Sequence, residues 1–192
     1  MPVKPEENSS IQLSRRNFLT SLAGVAMTLA APRVLASTAA AAVPARDREL
    51  SFYNIHTGEK LSAAFWSDGN YLDDGIKEIS WLLRDYRADV AHPIDPKLLD
   101  LLYQLQAKVD HQGEFHVISG YRSPATNAML RKQSSGVAKH SYHVLGKAID
   151  IRMPGFDTRQ LRNAAIALKD GGVGYYASSN FVHVDTGRVR YW

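Results

Sequence analysis

The sequence has 192 residues, a formal net charge of +4 and no cysteine, a length that suits one domain plus an extension. The absence of cysteine excludes disulfides, thiolate zinc sites, iron–sulfur clusters and a cysteine nucleophile, so any metal must be bound by histidine, carboxylates or water. No block of basic residues is interleaved with aromatic residues, and we therefore expect no nucleic-acid partner.

The first 45 residues have the pattern of an export signal. Arg15 and Arg16 precede an apolar run over residues 18–31, which is too short to span a membrane, and small residues follow over 36–45. Adjacent arginines before a moderately apolar segment are typical of a twin-arginine signal. We therefore expect residues 1–45 to be a signal peptide and cleavage region, recognised by the twin-arginine translocase. Residues 46–192 would then form a mature periplasmic domain without a stable membrane span.

Residues 49–109 predict a β-hairpin followed by two helices. Two β-rich runs, 49–55 and 60–66, flank a glycine-containing turn. Apolar residues recur at helical spacing over 71–86 and again after Asp95, where proline follows as the first helical residue. Neither helix carries converging polar groups, so we expect both to be core scaffold.

Residues 115–133 predict a strand, a corner and a third helix. Residues 115–119 favour a strand, and Ser123 followed by Pro124 indicates the cap and first residue of a helix. Arg122 would lie at the corner between them, where functional side chains are common. The alternative is an ordinary surface arginine.

The segment around Asp150 predicts a polar side chain facing a cleft. His143 lies seven positions before Asp150, and in an extended segment Asp150 points away from the face that carries Ile149 and Ile151. A helix beginning at Thr158 follows and ends before a pair of glycines.

The last predicted strand carries a second polar pair. Alternation places Val182 and Val184 inward and His183 with Asp185 on the opposite face. Two histidines and one aspartate, which we assign to two strands, suit a catalytic zinc site with three protein ligands and an open fourth position. Imidazole and carboxylate ligands do not by themselves exclude manganese, iron or nickel. The alternative is that each pair is an ordinary polar face or a satisfied hydrogen bond.

Four segments together resemble the murein endopeptidase K family. They are Ser-Gly-Tyr-Arg-Ser at 119–123, Ser-x-His-x-x-Gly-x-Ala-x-Asp at 141–150, Gly-Gly-Val-Gly-Tyr-Tyr at 171–176 and Asn-Phe-Val-His-Val-Asp-Thr-Gly at 180–187. That family belongs to the zinc peptidases that include D-Ala-D-Ala carboxypeptidases and lysostaphin-like enzymes. The resemblance covers almost the whole chain, including the twin-arginine leader.

The resemblance implies both a fold and a metal site. The fold is a single small α+β domain with an antiparallel sheet and flanking helices, of the Hedgehog or D-Ala-D-Ala metallopeptidase type. The site is one Zn²⁺ ion bound by His143, Asp150, His183 and a water molecule. The implied activity is periplasmic hydrolysis of peptide cross-links in peptidoglycan.

The assignment of the other catalytic roles is less direct. Arg122 is the candidate for stabilising an oxyanion or fixing the substrate, because its donors are planar and permanently charged. Relatives with an acidic residue three positions before the last ligand have an obvious base, but this chain has Asn180 there. Asp185 is either the base or a partner that orients an imidazole, and His140 is a further candidate for the base.

The substrate expected from the resemblance is a cross-link between two diaminopimelate residues, with D-Ala-containing cross-links as a second target. Two alternatives stay open on the sequence. One is a D,D- or L,D-carboxypeptidase that trims stem peptides, and the other is a catalytically inactive murein-binding module.

Overall fold

The computed structural model describes residues 47–111, 113–134 and 136–192. The expected signal peptide lies outside these described residues, so its extent and the domain boundary at residue 46 stay predictions. In the described ranges, no helix is both long enough and apolar enough to cross a membrane.

In the part of the chain that the structure describes, one mixed sheet with four α-helices confirms the predicted α+β class. The strands are β1 (Arg48–Asn54), β2 (Lys60–Ser67), β3 (Asn70–Tyr71), β4 (Phe115–Ser119), β5 (Ala148–Arg152), β6 (Gly172–Tyr176), β7 (Phe181–Asp185) and β8 (Arg190–Tyr191). The helices are α1 (Asp73–Leu82), α2 (Pro96–Val109), α3 (Pro124–Gln133) and α4 (Thr158–Leu168). The strand order is β3-β2-β1-β4-β5-β7-β6-β8. The sheet is mostly antiparallel, and the two parallel pairs are β1 with β4 and β6 with β8.

The helices begin where side-chain caps and prolines predict that they should. The Asp95 side chain accepts a hydrogen bond from the Lys97 amide at the start of α2, and Ser123 accepts one from the Thr126 amide at the start of α3. Each cap is followed by proline, whose fixed φ suits the first helical position and whose missing N–H costs nothing there. These local signals confirm both predicted helix starts.

The apolar core lies against one face of the sheet. On α2, the buried residues are all leucines: Leu98, Leu99, Leu101, Leu102 and Leu105. Phe52, Phe65 and Phe115 from β1, β2 and β4 are fully buried in the same core, as are Ile149 and Val184 from β5 and β7. Because side chains alternate along a strand, the opposite face of β5 and β7 is left for polar residues.

The prediction that His143 lies on a strand is wrong. His143 belongs to a 3-10 helix, Tyr142–Leu145, in which the His143 amide donates a hydrogen bond to the Ser141 side chain. Gly146 ends this helix with a φ of 65°, and a Cβ there would lie 2.3 Å from the Pro93 carbonyl oxygen. The chain therefore makes a tight turn before β5, and only glycine fits that turn without strain.

Candidate metal centre

Three side chains from two strands and the 3-10 helix converge at one point. Asp150 on β5 and His183 on β7 are direct partners across the antiparallel pair, and His143 reaches them from the helix before β5. The His183 Nδ1 lies 2.8 Å from Asp150 Oδ1 and 3.2 Å from His143 Nε2. His143 Nε2 lies 3.4 Å from Asp150 Oδ1. All three side chains are buried, and within the part of the chain that the structure describes they are the one such group able to hold a metal ion.

The separations between these ligand atoms suit a small tetrahedral ion. Bonds of about 2.0–2.1 Å at tetrahedral angles place ligand atoms about 3.3 Å apart. Two of the three separations are close to that value, and the His183–Asp150 pair is the shorter one. The group therefore needs only a small outward movement at Asp150 to accept a metal.

The strand-to-helix corner after β4 orients the first histidine. His143 Nδ1 lies 2.8 Å from the Gly120 carbonyl oxygen, which can only accept, so we assign the proton to Nδ1. This leaves Nε2 directed at the other two ligands. A Cβ on Gly120 would lie 2.4 Å from the Leu83 carbonyl oxygen, so the corner reaches this position only with glycine.

The second histidine is oriented by Asp185. His183 Nε2 lies 2.9 Å from Asp185 Oδ2, and the Asp185 side chain has no exposed surface. The same carboxylate accepts two hydrogen bonds from Arg190, at 2.7 and 3.0 Å, and one from the Gly187 amide. Asp185 therefore contacts the edge of the His183 ring that points away from the ligand group. The oxygens of Asp185 are occupied by protein donors.

Buried charges of both signs shift the pKa values of the ligand group. Burial raises the pKa of Asp150, but His143 and the contacts from both imidazoles outweigh burial and hold this pKa well below its usual range. Burial lowers the pKa of His183, but the carboxylates of Asp150 and Asp185 outweigh it and raise this pKa to about 9. In the metal-free protein His183 therefore carries a proton on Nδ1, which a metal ion must displace.

Arg122 lies beside the ligand group with few partners of its own. Its Nη2 is 3.8 Å from Asp150 Oδ2, and its hydrogen bonds to Ser119 and Asn127 are long, at 3.3 and 3.4 Å. Among the described residues, its Nε is the one buried side-chain polar atom without a hydrogen-bond partner. Burial lowers the pKa of Arg122, yet a guanidinium stays protonated at any physiological pH. A fixed cation with unused donors therefore faces the site.

A cleft of about 550 Å³ opens onto the ligand group. One side is aromatic: Tyr176 stacks on Phe181, and its hydroxyl accepts a hydrogen bond from the indole of Trp192. The other side is the loop that includes His140. Apart from the three ligands, the charged side chains among the described residues of the cleft wall are Arg122 and Arg190, and the charge of Arg190 is paired with that of Asp185.

The structure brings together all six side chains nominated from the sequence, although in different positions. His143, Asp150, His183, Arg122 and His140 border the cleft, whereas Asp185 is fully buried behind His183. Sequence reasoning missed Arg190, the Gly120 carbonyl and the aromatic wall. Two glycines of β6 were the available signal, because Gly172 and Gly174 lie opposite Asp185 and His183 and leave room for large neighbours.

Comparison with known proteins finds similarity over most of the chain. Residues 42–192 match the model of a peptidase family described as "Peptidoglycan L,D-endopeptidase MepK". A protein of Haemophilus influenzae, named "Probable peptidoglycan L,D-endopeptidase MepK", is 42% identical over 95% of this chain and 97% of its own length. "Peptidoglycan L,D-endopeptidase MepK" of Escherichia coli K12 is 42% identical over 93% of this chain and 97% of its own. No solved structure matches the chain.

Proposed function

The chain belongs to the peptidoglycan L,D-endopeptidase MepK family, and we propose that it is a zinc-dependent endopeptidase that hydrolyses peptide cross-links of peptidoglycan. The observation that carries this proposal is the buried His143–Asp150–His183 group at the base of an open cleft. The cross-link we expect it to cut joins two diaminopimelate residues, and D-Ala-containing cross-links are the second candidate.

Zinc is the metal that this ligand set favours. Two imidazole nitrogens and one carboxylate oxygen are typical protein ligands of a catalytic zinc, and His143, Asp150 and His183 leave a fourth position toward the cleft. When bound there, zinc would polarise the scissile carbonyl and lower the pKa of water toward neutrality. Gly120 and Asp185 would fix the two imidazoles, as outer hydrogen-bond partners do in other metal sites.

Arg122 is suited to stabilise negative charge that develops on the substrate. The Arg122 side chain is 12% exposed and its guanidinium makes only long hydrogen bonds, so its donors are available to an oxygen of the substrate. A charge fixed in place before the reaction needs no reorganisation as the oxyanion forms. The backbone amide of Arg122 donates to the His143 carbonyl at 3.1 Å, which ties this side chain to the ligand helix.

Proton transfer is assigned to His140, and Asp185 is assigned an orienting role. Asp185 is fully buried, and His183, Arg190 and backbone amides already occupy its oxygens. Asn180 accepts a hydrogen bond from Thr158 and is not part of the cleft wall. Besides the metal ligands, His140 is the one imidazole or carboxylate among the described residues of the cleft wall. An imidazole can both accept and donate a proton, which suits His140 to exchange protons with water and the leaving amine.

A guanidinium in the wall of the cleft supports a substrate that carries carboxylates. Arg122 supplies it, because the guanidinium of Arg190 is paired with Asp185, while the aromatic side, with Tyr176, Phe181 and Trp192, offers flat surface to aliphatic stems of a peptide. Stem peptides of peptidoglycan combine both features. For a cell-wall substrate we propose a periplasmic location after export by the twin-arginine translocase, which rests on the sequence of residues 1–45.

The proposal is tested by incubating purified sacculi with zinc-loaded protein and separating the muropeptides. Wild type and a His111→Ala control, altered at a histidine outside the cleft, are expected to reduce cross-linked dimers and increase monomers. His143→Ala is expected to leave the profile unchanged. Equal cleavage by His143→Ala would refute the proposed centre. Shortened monomers with intact dimers would instead identify a carboxypeptidase, and co-sedimentation without cleavage would identify a binding module.

A further inference from the structure

Arg190 contacts no metal ligand, yet it fixes the carboxylate that orients one. We propose that Arg190 is a positioning residue of the metal centre, acting on His183 through Asp185. This inference rests on the proposed function, because it concerns how the same centre holds its metal. Arg190 Nη2 donates to Asp185 Oδ2 at 2.7 Å, and Nη1 donates to Oδ1 at 3.0 Å.

The two hydrogen bonds from Arg190 restrain the orientation of the Asp185 carboxylate more than a single charged contact would. The parallel donors of a guanidinium match the two oxygens of a carboxylate, so the pair resists rotation of Asp185 about its side-chain bond. Asp185 Oδ2 is thereby held 2.9 Å from His183 Nε2. With Nε2 bound to this fixed oxygen, the ring presents Nδ1 toward Asp150 and His143.

Arg190 is itself held on several sides. Its guanidinium lies 5.2 Å from the ring centre of Tyr142 and 5.0 Å from that of Trp192, and Nη1 also donates to the Arg188 carbonyl. Cation–π contacts with two rings fix its plane as well as its position. Tyr142 directly precedes the ligand His143, so the same guanidinium contacts the elements that carry two of the three ligands.

The neighbouring backbone leaves space for this pair. Gly172 on β6 is the register partner of both Asp185 on β7 and Arg190 on β8. A Cβ on Gly172 would lie 2.3 Å from Arg190 Nη1 and 2.5 Å from Asp185 Oδ2. The ion pair therefore occupies the volume that any other residue at 172 would fill.

Removing an outer hydrogen-bond partner that orients a metal ligand weakens metal affinity by about 10–100-fold. Arg190→Met keeps an unbranched apolar stem and removes the guanidinium with its charge, whereas Arg190→Lys keeps the charge and removes the two-point contact. Arg188→Met is the matched control, because the Arg188 side chain is exposed and only its backbone contacts Arg190.

The test measures Zn²⁺ affinity of metal-free protein by competition with a chelator, without peptidoglycan. We expect Arg190→Met to bind Zn²⁺ about 10–100-fold more weakly than wild type, Arg190→Lys to be intermediate and Arg188→Met to be unchanged. The visible spectrum of the Co²⁺-loaded Arg190→Lys protein should also change, since it reports ligand geometry. Saturating Zn²⁺ should restore most of the activity, because Arg190 is not assigned to the substrate.

Wild-type Zn²⁺ affinity and an unchanged Co²⁺ spectrum in folded Arg190→Lys would overturn the inference, whatever the folding of Arg190→Met. Circular dichroism of each variant establishes folding. If wild-type protein itself fails to bind Zn²⁺, the proposed metal centre fails. If wild type binds and the Arg190 variants bind equally well, only the role of Arg190 fails.

Discussion

Metal binding should depend on pH over a range set by His183. In the metal-free protein this imidazole lies between Asp150 and Asp185, which raise its pKa from 6.5 to about 9. A metal ion must displace the proton on Nδ1, so protons compete with the metal wherever His183 is charged. The apparent affinity is therefore lowest at acidic pH and rises with pH until His183 is neutral.

The size of this effect follows from the shifted pKa. At pH 7, about two pH units below the pKa of His183, this imidazole is protonated. The apparent metal affinity therefore lies about 100-fold below its maximum, or about 3 kcal/mol. The affinity should rise about tenfold per pH unit between pH 7 and pH 9. A histidine with an ordinary pKa would give an affinity that levels off near pH 6.5.

The measurement is Zn²⁺ affinity by chelator competition across this pH range. Calorimetry in two buffers of different ionisation enthalpy should show release of about one proton per metal at pH 7. In Asp185→Asn the affinity should level off at a lower pH, since one of the carboxylates that raise the pKa of His183 is gone, while exposed Asp110→Asn should match wild type. An affinity that is constant above pH 6.5 would show that the pKa of His183 is not raised in the metal-free protein.

Three further variants probe the cleft and its frame. Arg122→Lys should lower kcat about 100-fold on soluble cross-linked dimers without changing Zn²⁺ affinity, because one transition-state contact is lost, and an unchanged kcat would remove Arg122 from the mechanism. His140→Gln should lower kcat by about 10²–10⁴, with Lys139→Gln as the neighbouring control; full activity would exclude His140 as the proton-transfer group. Gly146→Ala should lower both the melting temperature and Zn²⁺ affinity, since its φ is 65° and Pro93 blocks the added methyl group. Wild-type melting in Gly146→Ala would contradict the tight turn before β5.

The parts of the fold that sequence predicts best are those fixed by neighbouring residues. Helix starts at Asp95 and Ser123 depend on side chains that cap amides two or three positions later, so they can be read locally. The parallel pairing of β1 with β4 depends on how distant segments pack, and no residue near either strand encodes it. His143 was misassigned because a short apolar run before Gly146 suits either a strand or a single helical turn.

In the candidate site, too, local sequence patterns predict some residues, whereas the roles of others depend on distant contacts. Alternation along β5 and β7 is enough to place Asp150 and His183 on one face, and pairing across the strands then brings them together. The role of Asp185 could not be predicted from that pattern, because it depends on Arg190 reaching back from β8. The same side chain would be a plausible base if it faced the cleft, and burial decides against that role.

The most direct test of the metal centre is titration of metal-free protein with Zn²⁺ while cleavage of a defined cross-linked peptide is followed by mass spectrometry. If the three side chains hold a catalytic zinc, there should be no cleavage without metal, a rise in rate that ends at one equivalent of Zn²⁺, and no rise in folded Asp150→Asn at the same metal concentrations. Full cleavage by metal-free wild type, or the same Zn²⁺-dependent rise in Asp150→Asn, would contradict a catalytic zinc at this site.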